Sequence, residues 1–114
     1  MNKQQFINSF IREKNTQRKS KNDYYYTDEN NNKIYRYYNT NIFTLTNDKN
    51  IILDLSYNSV STTKRINLLL ELFNSSYRVK TRNFNYVLYN IRTNLLIGLN
   101  SNKIKLEGKI IKEL

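Results

Sequence analysis

Ser61-Thr62-Thr63-Lys64-Arg65 place three hydroxyls and two cations side by side. Ile66, Leu69, Leu70 and Phe73 follow at the i, i+3, i+4, i+7 spacing of one apolar helix face, widened by Leu68 and Leu72. The five residues therefore open a helix, and Ser61 reads as its N-cap. Cations in a first turn oppose the helix dipole by a few tenths of a kcal/mol or more each. The positions three and four residues on, Asn67, Leu68 and Leu69, offer neither cation an acid. Free backbone N–H groups, hydroxyls and cations at one point make an anion site, with phosphate the leading ligand. The plainer alternative is a capped helix whose Lys64 and Arg65 are solvated. Ser61-x-x-Lys64 also matches the serine–lysine motif of penicillin-binding enzymes, but the companion motifs are absent and the chain is too short.

Composition narrows the chemistry. The chain has 114 residues and a net charge of +10, with no His, Cys, Trp or Pro. Histidine-dependent catalysis, disulfides and Cys/His zinc sites are excluded. Glycine occurs only at positions 98 and 108, so no glycine-rich phosphate loop exists. No cofactor or metal is expected. Asp54 with Glu107 and Lys109 comes nearest to a magnesium nuclease cluster, but its spacing specifies none, and the expectation is a protein that is not an enzyme. The positive charge points to an anionic partner, nucleic acid or a ribonucleoprotein. No apolar run is long enough to span a membrane and no signal-type segment is seen, so a cytoplasmic protein is expected. The codons of Asn, Lys, Ile and Tyr are AT-rich, which competes as an explanation for the basic charge and the ten tyrosines.

The elements that position these groups follow from periodicity. Residues 2–14 read as an amphipathic helix carrying Phe6, Ile7, Phe10 and Ile11. Residues 15–22 read as a basic linker with Arg18, Lys19 and Lys21, suited to a phosphate backbone or simply solvated. Strands are predicted over 24–27, 33–38, 42–46 and 51–56, separated by Asn- and Asp-rich turns. After the helix come strands over 77–82, 86–91, 95–99 and 103–106, with 109–114 a short strand or helical end. In the strand over 77–82, Tyr77, Val79 and Thr81 alternate with Arg78, Lys80 and Arg82, which sets a basic ladder on one face. Tyr35, Tyr37 and Tyr38 lie on a strand near cations; they stack bases in one reading and pack the sheet in the other. The predicted fold is one α+β domain: residues 1–22 form the N-terminal helix and linker, and 23–114 an antiparallel sheet of two meanders with one central helix packed on it. The N-terminal helix or a tyrosine-rich sheet edge offers a homodimer contact.

Residues 34–89 carry a resemblance. Tyr37-Tyr38-Asn39-Thr40 with Ile42, then Leu53 and Leu55, Val60-Ser61-Thr62-Thr63-Lys64-Arg65-Ile66-Asn67, Arg78-Val79 and Phe84-Asn85-Tyr86-Val87 resemble a widespread family of small phage and plasmid accessory proteins. The Thr-Thr-Lys-Arg helix start is its most specific part. Tyr57-Asn58-Ser59 stands where the family has a glycine-rich turn with an aromatic. The resemblance implies an accessory gene of a mobile element. By analogy with such genes, the expected function is a non-enzymatic inhibitor of a host nucleic-acid-guided defence complex, of anti-CRISPR type. A general nucleic-acid-binding protein of phage replication or regulation is the alternative.

Overall fold

Alternation of apolar and polar side chains builds most of this molecule. The computed structural model describes residues 17–18, 23–83 and 85–114. Its elements are β1 (Gln17–Arg18), β2 (Asp23–Thr27), β3 (Lys33–Tyr37), β4 (Thr40–Leu45), β5 (Ile51–Asp54), α1 (Val60–Leu72), β6 (Tyr77–Arg82), β7 (Asn85–Asn90), β8 (Leu96–Gly98), β9 (Lys103–Glu107) and β10 (Ile110–Glu113). The architecture is α+β, with one helix and two antiparallel sheets among the described residues. The predicted N-terminal helix lies outside the described residues. Gln17–Arg18, read above as linker, pairs with Tyr24 and Tyr25 as a short edge strand.

The larger sheet has the order β1-β2-β3-β4-β5-β9-β10. Its inner face is set by rows of partners running across the strands. Tyr25, Tyr35, Phe43, Leu53 and Ile104 form one such row, and all five are buried. Between Tyr35 and Arg36 the register shifts by a bulge, and opposite it Ile42 and Phe43 are both fully buried, which suspends strict alternation. Asp28 shapes the β2–β3 turn, its carboxylate accepting from the backbone N–H groups of Asn30 and Asn32, each at 2.9 Å. The β9–β10 hairpin closes on Gly108-Lys109. Gly108 has φ 62°, the left-handed value a two-residue loop needs at its first position.

The prediction of one sheet is corrected at this point. β6, β7 and β8 form a separate three-stranded sheet, while β9 returns to pair with β5. The free edge of β5 accepts a partner with matching alternation: Ile51 and Leu53 face Leu106 and Ile104. The segment over 109–114, left open between strand and helix, is strand β10.

Helix α1 fills the space between the sheets. Ile66, Leu69 and Leu70 are fully buried, and each such side chain contributes roughly 1.5–3 kcal/mol. Phe73 stacks on Phe43 of the larger sheet, with centroids 5.7 Å apart. On the other side, Asn67 bonds the outer edge of β6. Its amide donates to the Val79 carbonyl at 2.9 Å and accepts from the Val79 N–H at 2.8 Å. The helix thus closes an edge that would otherwise be open. Buried Tyr77, Val79, Tyr86 and Leu88 of the small sheet join the same core as the larger sheet.

Candidate nucleic-acid interface

At the start of α1 the hydroxyls are used internally. The N-cap is Ser59, not Ser61. The Ser59 side chain accepts from the Thr62 N–H at 3.1 Å, and its φ of −146° is extended. Ser61 sits inside the first turn, its hydroxyl 3.0 Å from that of Tyr37. Thr62 is fully buried and accepts from the Ser59 hydroxyl at 2.8 Å. The Thr63 hydroxyl is bonded to the Ser59 carbonyl at 2.9 Å and to the Tyr86 hydroxyl at 3.0 Å.

Arg65 finds its acid far away in sequence. Its Nε donates to Asp23 Oδ1 at 2.5 Å and its Nη2 to Asp23 Oδ2 at 3.1 Å. This is the bidentate geometry that suits guanidinium to carboxylate. The guanidinium lies 4.0 Å from the Tyr37 ring centroid. Burial works against the cation, but the hydrogen bonds and charge of Asp23 prevail and raise the Arg65 pKa. The Tyr35 hydroxyl donates to Asp23 Oδ1 at 2.7 Å. Burial, then that bond, push the Tyr35 phenol well above its ordinary range. Tyr35 and Tyr37 are 1% and 8% exposed, so they pack the core and support this ion pair rather than offering faces to bases. Of the five residues at the helix start, only Lys64 is exposed and makes no ion pair with a described residue.

The small sheet carries a different arrangement. Register pairs Arg78 with Tyr89, Lys80 with Val87 and Arg82 with Asn85. Val87 then faces Gly98, and Tyr89 faces Leu96. All eight lie on the face turned away from buried Val79 and Leu88. The row of three cations therefore borders a strip of Tyr89, Val87 and Leu96. Lys80 Nζ stands 5.5 Å from the Tyr89 ring centroid. Arg78 donates to the Ser75 and Tyr77 carbonyls at 2.7 and 2.6 Å, which orients it without neutralising it. None of the three cations pairs with a carboxylate among the described residues. A cationic row beside an aromatic and aliphatic strip matches the chemistry of a nucleic-acid strand, whose phosphates and base faces run in parallel.

The remaining sequence candidates are scattered. Arg18 lies on β1, and Lys19 and Lys21 lie outside the described residues. Asp54 accepts from the Ser56 N–H at 3.0 Å, and Glu107 is held by Lys112 at 2.9 Å and Lys105 at 3.7 Å. Among the described residues no group of three or more acids is placed to hold a metal. No described helix is long and apolar enough to cross a membrane.

Sequence reasoning passed over Tyr89. Its signal was its alternation with Val87 opposite the basic ladder, visible only once strands 77–82 and 85–90 are paired. It also passed over Tyr57, which is 51% exposed and sits 6.3 Å from the ring of Tyr38, itself 49% exposed. Tyr38 has φ 54°, an unusual backbone state for a bulky side chain.

No curated protein and no solved structure matches the chain. A family model, Kyanoviridae Gp96 protein, matches residues 2–105, which takes in both sheets up to β9 and the whole of α1. That range carries the helix start, the basic ladder and the strip beside it, and the chain belongs to the Kyanoviridae Gp96 family of phage proteins.

Proposed function

We propose that this phage protein binds single-stranded nucleic acid along the outer face of β6-β7-β8, without catalysis. The observation that supports this is the uncompensated row Arg78, Lys80 and Arg82 beside Tyr89. The cations take phosphates, and Tyr89, Val87 and Leu96 take base faces. A duplex hides its base faces, so a single strand is the better fit.

The test is fluorescence anisotropy of labelled random single strands and duplexes across a salt series. Micromolar or tighter binding to single strands is expected, with weaker binding to duplex. Three phosphate contacts give a slope of log K against log salt of about −2. Lys80→Glu with Arg82→Glu, both exposed, should lose at least about tenfold in affinity and flatten the slope by about 1.4. Absence of binding at low salt refutes the reading.

A second reading comes by analogy with phage accessory genes. In it the same face engages the guide strand of a host nucleic-acid-guided defence complex, as an anti-CRISPR inhibitor in the host cytoplasm. Much tighter binding to the loaded complex than to the free strand would select it.

A further inference from the structure

The basic row leads into a cleft. Where β6 turns into β7, the cross-strand pair Arg82 and Asn85 forms the end of the cationic face and also lines a concavity of about 620 Å3 between the two sheets. This is within the range of small-ligand sites, about 300–1,000 Å3. Half-buried Leu99 and the buried Leu55 and Tyr86 contribute its apolar lining. Asn100 and Asn102, from the segment between β8 and β9, line it as well.

Those two asparagines are not explained by turn geometry. Asn31, Asn74, Asn83 and Asn94 have positive φ, where asparagine is tolerated better than most residues. Asn100 and Asn102 do not. Their backbones take part in bonds, the Asn100 N–H to Glu113 and the Asn102 carbonyl from Leu55. Their side-chain amides bond no described residue. Each amide is a donor and an acceptor held side by side, the pattern that matches the N6 and N7 atoms of adenine.

We infer that this cleft takes one unstacked adenine base of the strand bound on the neighbouring face. Asn100 and Asn102 read its edge, half-buried Leu99 meets its plane, and Arg82 holds the adjoining phosphate. The inference rests on the proposed single-strand binding and adds base preference to it.

The experiment is anisotropy with labelled oligo-dA, oligo-dC and oligo-dT 12-mers at one low salt concentration, then across a salt series. The wild-type protein should prefer oligo-dA by about tenfold. Asn100→Ala with Asn102→Ala, both exposed positions, should bind oligo-dA as weakly as the pyrimidine strands. Its salt slope and melting curve should match those of the wild type. Equal wild-type affinity for the three strands overturns the inference and leaves the binding face standing. So does a preference for oligo-dA that survives in the double variant. Failure to bind any strand overturns both.

Discussion

Asp23→Ala tests what holds the start of α1 in place. Asp23 is nearly buried, at 6% side-chain exposure, and Arg65 is 26% exposed. Removing one partner of a buried ion pair costs about 3–5 kcal/mol, because the other charge stays desolvated. The Arg65 side chain is a quarter open to water, so the lower end, about 3 kcal/mol, applies. The buried Tyr35 hydroxyl loses an acceptor as well, which adds about 1 kcal/mol at the low end of that range. The expected loss is therefore about 4 kcal/mol, a large part of the 5–15 typical of a domain. Asp23→Ala with Arg65→Met removes both charges and leaves an apolar side chain against Tyr37. The double variant should regain about 2 kcal/mol relative to the sum of the single losses. Guanidinium unfolding of the wild type, both single variants and the double variant measures this directly. Additivity within about 0.5 kcal/mol, or a loss below about 1 kcal/mol for Asp23→Ala, would refute the coupling. A tenfold gain in strand affinity for Asp23→Ala would show that Arg65 is available to a ligand after all.

The buried Tyr35 phenol has its pKa raised above the ordinary value of 10.0. The unfolded chain therefore loses this proton first, and stability is full below pH 10 and falls as pH rises above it. The loss from this group reaches about 1.4 kcal/mol at pH 11, and Tyr35→Phe should remove it from the pH dependence of unfolding. Asn67→Ala should take both bonds from the Val79 backbone and lower stability by about 2 kcal/mol. Hydrogen exchange at the Val79 amide should accelerate in that variant; unchanged protection would mean that α1 does not close the edge of β6.

Much of the local structure was legible because it repeats on a short period. The helix predicted from Ser61 to Phe73 is observed over Val60–Leu72, and the strand over 77–82 has those bounds. The cap was misplaced because Ser59, Ser61 and Thr62 all have suitable side chains, and apolar periodicity fixes a helix start only to within a turn. The split into two sheets was not legible. β9 pairs with β5 across the whole of α1 and the small sheet, and no local pattern encodes which strand edge a later strand will find. Tyr35 and Tyr37 show the same limit. Their spacing puts them on one face of a strand, but only the packing of α1 decides that this face is the buried one.

Charge shows most clearly what local reading misses and what it catches. Lys64 and Arg65 looked alike from their neighbours, yet Arg65 meets Asp23 across 42 residues and Lys64 meets no described acid. Arg78, Lys80 and Arg82 needed no such correction in their geometry, since strand alternation alone aligns them. AT-rich codons can supply Lys80, Asn85 and Tyr89, but they do not of themselves order three cations along one face of one strand. An acid at position 85, 87 or 89 would face one of these cations directly and add about 0.2–1 kcal/mol. The larger sheet places acids beside its cations, with Asp54 directly opposite Lys103 and Glu107 held by Lys112 diagonally across and Lys105 on its own strand. On β7 those three places hold Asn85, Val87 and Tyr89. The small sheet thus forgoes stabilisation that its neighbour uses, along one row and on one face. That pattern supports a surface whose counter-charge comes from an anion bound from outside.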